Sequence, residues 1–194
     1  MNITIVAGAR PNFMKIAPII EAIQKKKKAG FQINYRLVHT GQHYDKNLSQ
    51  TFFEELNIPL PDSNLGVKSG TQAEQTAAIM VGFEKELNQN PCDLVMVVGD
   101  VTSTMACAIV AKKAGVDLAH VEAGIRSGDM QMPEEINRIV TDSLTDYFFT
   151  TSIYANENLV KLGVSKPNIF FVGNVMIDTL LKNESRLKKP DLWE

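Results

Sequence analysis

Short apolar runs alternate with longer segments of helical periodicity along this chain. The apolar runs predict six strands, at Ile3–Ala7, Gln32–His39, Leu94–Val98, Asp117–Val121, Tyr147–Thr151 and Ile169–Val172. Several runs are continuously apolar, which is typical of strands whose two faces are both covered by helices. The intervening segments predict helices at Asn12–Lys28, Asp45–Leu56, Thr71–Asn88, Ser103–Ala114, Pro133–Thr145, Ile153–Leu162 and Val175–Lys182.

This alternation predicts the α/β fold class, with a doubly wound, Rossmann-like parallel sheet. The expected strand order is 3-2-1-4-5-6, in which Leu94–Val98 takes the fourth position and Asp117–Val121 the fifth. Residues 1–182 form the predicted domain. Residues 183–194 turn polar like a linker, so we expect them to lead toward a C-terminal domain that this chain lacks.

Composition narrows the possible functions. The 194 residues include 20 Lys and Arg and 22 Asp and Glu, a net charge of −2, so we expect no general affinity for nucleic acid or a membrane. Cys92 and Cys107 have neither CxxC spacing nor a histidine cluster nearby, which predicts no disulfide framework and no metal site. A strand that starts at Asn2 leaves no room for a signal peptide, so we predict a cytoplasmic protein.

Polar residues follow the first two predicted strands, at the edge where ligands of such sheets bind. A glycine turn after the first strand leads into a helix, and Arg10 and Lys15 add charge to a helix N-terminus that suits an anion. The turn matches neither GxGxxG nor the Walker motif, and two surface cations are the alternative. Gln42 and His43 follow the second strand, where they either touch a ligand or bond only to backbone.

Carboxylates follow the predicted strands Leu94–Val98 and Asp117–Val121. Asp100 precedes a helix that opens with hydroxyl residues. One of these four side chains is expected to cap that helix, and a capping role alone is the alternative for Asp100. Glu122 lies at the mouth of an apolar strand, where a carboxylate is partly desolvated and suited to acid/base catalysis. Its alternative is a structural ion pair with Arg126. Glu134 follows Pro133, a combination that any helix start favours.

These charged residues all fall on one edge of the predicted sheet. Cations that hold a departing phosphate, beside carboxylates that transfer protons, form a coherent catalytic site. The combination favours chemistry on a sugar joined to a diphosphate.

Longer segments occur together in the order found in one family. They are Gly8–Pro11 with Lys15 and Pro18, Thr40–His43, Gly99–Asp100 with the following hydroxyl run, His120–Gly128, Pro133–Arg138, and Val172–Asn174 with Ile177–Asp178. On these segments the chain resembles the N-terminal domain of the non-hydrolysing UDP-N-acetylglucosamine 2-epimerases, from residue 1 to about residue 180. Among these segments, His120–Gly128 and Pro133–Arg138 together are highly specific for that family.

The resemblance implies one half of a two-domain GT-B fold, with the substrate between two Rossmann-like halves. It also implies epimerisation at C2 of the sugar without a cofactor: UDP is eliminated with the C2 proton, leaving 2-acetamidoglucal. Reprotonation from the other face and re-addition of UDP give UDP-N-acetylmannosamine, an activated sugar for polysaccharide biosynthesis. The implied partners are a UDP-sugar, the absent C-terminal domain and a second copy in a full-length homodimer.

By matching positions, the resemblance also assigns roles. The implied acid/base carboxylates are Asp100, Glu122 and Glu134. The implied substrate-binding residues are Arg10 and Lys15, which hold the diphosphate, together with Gln42, His43 and Arg138.

The chain departs from the family pattern at several positions. Ala9 replaces the usual threonine, and Asn12 stands where glutamate is common. The Arg-Gln pair expected for a second, regulatory substrate site reads Thr71–Gln72, which counts against that regulation. The absent domain supplies the uridine contacts and a catalytic histidine in the family, so the isolated chain is expected to bind UDP-sugar weakly and to turn over negligibly.

Other functions stay open on the sequence. The carboxylates fit a relative that acts on a different UDP-sugar, such as a diacetamido uronic acid, or a hydrolysing member that releases free N-acetylmannosamine. A non-catalytic nucleotide-sugar-binding module is an alternative of a different class. A GT-B glycosyltransferase fits less well, because several acid/base carboxylates suit elimination better than glycosyl transfer.

Overall fold

The structure is a computed structural model that describes residues 1–41, 53, 56 and 58–186, except for the side chain of Arg10. The candidate residues Gln42 and His43, and nearly all of the predicted helix at 45–56, lie outside the described residues.

The described residues form a seven-stranded sheet in which every pair of neighbours is parallel. The strands are β1 (Asn2–Ala7), β2 (Asn34–His39), β3 (Ser63–Asn64), β4 (Leu94–Val98), β5 (Asp117–Val121), β6 (Tyr147–Thr150) and β7 (Ile169–Phe171). Their order is β3-β2-β1-β4-β5-β6-β7, which confirms the doubly wound α/β prediction. The predicted count of six strands is wrong, because β3 has only two residues and leaves no periodic pattern in the sequence.

Six α-helices lie within the described residues, five of them between strands and one after the last strand. They are α1 (Arg10–Lys28), α2 (Gln72–Gln89), α3 (Thr102–Lys113), α4 (Pro133–Leu144), α5 (Ile153–Lys161) and α6 (Val175–Asn183). All six were predicted, and their observed ends lie within two residues of the predicted ones. None of the helices in the described part of the chain is long and apolar enough to cross a membrane.

The core has two main layers, one on each face of the sheet. Met96 packs with Ile5 and Ile16 on one face, whereas Val95 packs with Phe83 on the other. Consecutive residues of one strand therefore both enter a core, as the continuous apolar runs predicted. The rigid sheet leaves its carboxyl edge as the place where polar side chains gather.

Candidate active site

The carboxyl ends of the central strands meet in register. Ala7 of β1 lies opposite His39 of β2, and Val98 of β4 lies opposite Val121 of β5. Beyond the last pair, the Gly99 amide donates a hydrogen bond to the Val121 carbonyl, with an N···O distance of 3.0 Å. The loops that carry Asp100 and Glu122 therefore leave the sheet side by side.

A buried ion pair joins the loop after β5 to α1. The Lys15 ammonium contacts the Glu122 carboxylate, and their side chains are only 11% and 13% exposed. Glu122 has a backbone φ of 71°, in the left-handed region, and no other described non-glycine residue has a positive φ. That conformation costs an L-residue about 1–2 kcal/mol and is found preferentially at functional sites. The confirmed desolvation of Glu122 thus comes with a strained backbone that aims its side chain at Lys15.

Gly99 provides the space for this pair. Its φ is 69°, and a Cβ atom there would lie 3.0 Å from Lys15 Nζ and 3.5 Å from Glu122 Oε2. Any larger residue would therefore combine backbone strain with crowding of the ammonium group.

Asn12 holds α1 against the sheet one turn before Lys15. Its side-chain oxygen accepts from the amides of Gly8 and Ala9 at 3.1 and 2.9 Å, and its side-chain nitrogen donates to the Val98 carbonyl at 3.1 Å. Asn12 is almost fully buried and thus links the turn after β1 to the end of β4. These bonds fix the position from which Lys15 reaches Glu122.

Asp100 is engaged by Arg138 of α4. The guanidinium donates to Asp100 Oδ2 through Nε at 3.1 Å and through Nη2 at 2.6 Å, and Nη1 donates to Glu135 at 2.7 Å. The alternative role of Asp100 as a helix cap is wrong, because α3 begins at the N-cap Val101 without any side-chain cap. Arg138 instead bonds the Asp100 carboxylate, and α3 begins without a side-chain cap.

Glu135 anchors the loop between β5 and α4 from below. Its buried carboxylate accepts from the amides of Ser127 at 2.9 Å and Gly128 at 3.1 Å, in addition to Arg138. Burial alone would raise the pKa of Glu135, but these hydrogen bonds outweigh burial and lower the pKa to about 2. Glu135 is therefore an ionised structural residue, a role that the sequence analysis missed.

A second buried network lies beneath both carboxylate loops. His120 of β5 places Nδ1 at 2.7 Å from Asp142 Oδ1 and Nε2 at 2.8 Å from the Gly99 carbonyl. Asp142 also contacts Arg126 Nη2 at 2.7 Å. Burial alone would raise the pKa of Asp142, but the hydrogen bond from His120 and the charges of His120 and Arg126 lower it. The alternative prediction of an ion pair between Glu122 and Arg126 is thus wrong, because Arg126 pairs with Asp142.

The remaining predicted site residues have mixed outcomes. Glu134 lies in the first turn of α4 as predicted, exposed to solvent and outside both networks. The Arg10 side chain, Gln42 and His43 lie outside the described residues. Thr71 caps α2: its hydroxyl accepts from the Glu74 amide at 3.2 Å, and the Glu74 carboxylate accepts from the Thr71 amide at 2.8 Å.

Comparison with known proteins identifies relatives of this chain. A family model described as UDP-N-acetylglucosamine 2-epimerase matches residues 24–192. The chain is 44% identical to the UDP-N-acetylglucosamine 2-epimerase of Methanocaldococcus jannaschii over 183 residues, which cover 94% of this chain and 49% of that protein. It is 40% identical to the UDP-2,3-diacetamido-2,3-dideoxy-D-glucuronate 2-epimerase of Pseudomonas aeruginosa, covering 98% and 53% of the two chains.

A solved structure agrees with these relatives. The crystal structure of the Methanocaldococcus jannaschii enzyme in complex with UDP-GlcNAc and UDP matches with a TM-score of 0.91 at 42% identity, covering 99% of this chain and 52% of that one. The chain thus spans about half the length of the relatives it matches. Because the family model covers most of its residues, the chain belongs to the UDP-N-acetylglucosamine 2-epimerase family.

Proposed function

We propose that this chain is the N-terminal catalytic half of an isomerase that inverts C2 of UDP-N-acetylglucosamine to give UDP-N-acetylmannosamine. The observation that carries the proposal is the buried Lys15–Glu122 pair at the carboxyl ends of the strands. The pair lies beside Gly99, the residue that precedes Asp100. The family membership and the names of the relatives support the same reaction.

The chemistry requires more than one acid/base group. In the elimination a base takes the C2 proton, the C2–H electron pair forms a C1=C2 double bond, and the C1–O bond breaks with its electron pair leaving on UDP. In the return step a proton adds to C2 from the opposite face and the UDP oxygen re-forms the C1–O bond. One fixed carboxylate cannot serve both faces. Glu122 and Asp100 follow neighbouring strands and are our candidates for two of these groups. Glu134, in the first turn of α4, is the third candidate.

Positive charge is needed where UDP departs. We assign this role to Lys15 and Arg10, which belong to the first turns of α1. Arg138, Gln42 and His43 remain proposed substrate-binding residues. In the free protein the Arg138 guanidinium is engaged by Asp100 and Glu135, so substrate binding would act on an already ordered side chain.

The whole protein is proposed to contain a second Rossmann-like domain beyond residues 183–194, to form a homodimer and to supply polysaccharide biosynthesis in the cytoplasm. The half-length match to the relatives supports the second domain. The free thiols of Cys92 and Cys107 fit a reducing compartment. We expect the source reading frame to continue past Glu194; a stop codon there would contradict the two-domain proposal.

A different UDP-sugar is the second candidate substrate. The Pseudomonas aeruginosa relative, at 40% identity, is named for a UDP-diacetamido glucuronate. The acid/base set would serve the C2 centre of either sugar equally, so selectivity has to be measured by offering both sugars to the full-length protein.

The test is proton exchange at C2 in the full-length protein. Incubation of UDP-N-acetylglucosamine in D2O should put deuterium at C2 of both epimers, read by ¹H NMR. Glu122→Gln and Asp100→Asn should abolish the exchange, whereas Asp117→Asn, at the other end of the Glu122 strand, should keep it. Free N-acetylmannosamine as the first product would instead indicate a hydrolysing enzyme. Full exchange by both carboxylate variants would contradict their catalytic roles, and a full-length wild-type protein that binds UDP-sugar without exchange would be a binding module.

A further inference from the structure

One carboxylate, Asp142, reaches the loops of both candidate acid/base residues from beneath the sheet edge. It lies on α4 and is almost fully buried. Its Oδ2 accepts a hydrogen bond from the Gly124 amide at 3.0 Å, two residues beyond Glu122. Its Oδ1 lies 2.7 Å from His120 Nδ1.

His120 carries this contact to the other loop. The ring is fully buried, and its Nε2 lies 2.8 Å from the Gly99 carbonyl, which precedes Asp100. Because a carbonyl only accepts, the Nε2–H group of His120 is the donor to Gly99, and Nδ1 faces the Asp142 carboxylate. The chain Asp142–His120–Gly99 therefore sets the position of the peptide that leads into Asp100.

The loop of Glu122 is tied to the domain close to the strained residue, and Asn158 also donates to the Gly124 carbonyl at 3.0 Å. Glu122 occupies the left-handed region at φ 71°, which persists only where its surroundings over-determine the backbone. The Glu122 amide donates to the Phe149 carbonyl at 3.0 Å, and Asp142 secures the chain on the far side through Gly124. The loop is thus pinned on both sides of the strained residue.

We propose that Asp142 is the positioning residue for both Asp100 and Glu122, acting through His120 on the first and through the Gly124 amide on the second. This inference rests on the proposed epimerase function for its kinetic consequence, but not for its structural one. Arg126, whose Nη2 lies 2.7 Å from Asp142 Oδ2, compensates the buried charge.

The chain contains a matched control for this residue. Asp146 also accepts a backbone amide of β5, that of Leu118 at 2.8 Å, and also pairs with a cation, Lys112, at 2.8 Å. It does so at the amino end of β5, away from the proposed site. Asp146→Asn should therefore cost stability in the way that Asp142→Asn does, without moving either acid/base loop.

The test compares both variants in the full-length protein by hydrogen–deuterium exchange of backbone amides and by steady-state kinetics. Asp142→Asn should speed amide exchange in peptides that cover residues 99–104 and 122–128, and should lower kcat by roughly 100-fold with KM changed by less than about twofold. The double variant His120→Gln, Asp142→Asn should have the same kcat as Asp142→Asn alone, because both residues belong to one series of hydrogen bonds. Asp146→Asn should speed exchange only around residues 117–119 and keep kcat.

The outcomes separate the two proposals. Equal effects of Asp142→Asn and Asp146→Asn on kcat, or unchanged exchange in the two loops, would overturn the positioning role. If the wild-type protein shows no epimerisation while the exchange pattern is as expected, the proposed function fails and the positioning of the two loops stands.

Discussion

The ammonium group of Lys15 lies against the carboxylate of Glu122, although the two residues are 107 positions apart in the chain. The contact joins the second turn of α1 to the loop after β5, across the end of β4. Both side chains are shielded from solvent, so their charges neutralise each other in a setting of low polarity. The pair is therefore a unit, and each member depends on the other.

Removal of one member of this pair should cost more stability than removal of both. Lys15→Met or Glu122→Gln leaves an unpaired buried group, at a cost of about 3 kcal/mol in the free energy of unfolding. Glutamine keeps the backbone strain at position 122, so only the charge changes. In urea unfolding, the double variant should lose less stability than either single variant. Strictly additive losses would show that the two side chains do not interact.

Gly99→Ala should impair the site as well as the fold. The left-handed backbone costs alanine about 1–2 kcal/mol, and the new methyl group would lie 3.0 Å from Lys15 Nζ. Gly115→Ala is the matched control, with φ 74° and no atom within 4 Å of the added Cβ. Both variants should lose stability in urea, but only Gly99→Ala should slow C2 proton exchange. A Gly99→Ala variant with wild-type exchange would argue against a precise Lys15 position.

Arg138→Lys should lower activity more than its conservative nature implies. The guanidinium bonds Asp100 with two nitrogens and Glu135 with the third, and a single ammonium cannot reproduce that fork. We expect kcat to fall by roughly 10- to 100-fold in the full-length protein. Arg36→Lys is the control: Arg36 bonds Glu86 at 2.6 Å, remote from the carboxylate loops. A similar loss of kcat in both variants would point to a general loss of folding.

Glu135 should make stability fall in acid. Its pKa of about 2 lies below the ordinary 4.5, so its contribution is complete above about pH 4.5 and is lost as the pH falls through about 2. The contribution at neutral pH is at most about 3 kcal/mol. The difference in unfolding free energy between wild type and Glu135→Gln should be constant above about pH 4.5 and should narrow as the pH falls from there toward about 2. Glu134→Gln, one exposed position earlier, controls for the loss of one charge, and a difference that stays constant over this acid range would refute the hydrogen-bonded role.

The carboxyl edge of the sheet was predictable, because strand periodicity locates the loops and parallel pairing brings them together. Lys15 and Glu122 were both selected for that reason. Their pairing was not predictable, because a sequence offers Arg126, four residues away, as the obvious partner of Glu122. The left-handed turn at Glu122 directs its side chain toward α1 instead, and leaves Arg126 to Asp142.

Two buried carboxylates that were not predicted from the sequence, Glu135 and Asp142, both lie on α4. Periodicity arguments assume that the apolar face of a helix is buried. Here Ile136 and Ile139 are 43% and 37% exposed, whereas Glu135 and Asp142 are buried. The burial is favourable because backbone amides and cations from other segments complete the carboxylates, and such partners leave no mark on the local sequence. Glu134 and Glu135 were therefore indistinguishable until their surroundings were known.

The buried chain that runs from Arg126 through Asp142 and His120 to Gly99 also ties folding to the completion of the active edge. Each of these polar groups is costly to bury until its partners have arrived. A sheet with β4 and β5 paired but α4 not yet docked leaves His120 without its carboxylate. Such partly assembled states are penalised, which widens the free-energy gap between the native arrangement and its competitors. The polar interior thereby acts as a checkpoint, and the domain gains its full stability only when both carboxylate loops are in place.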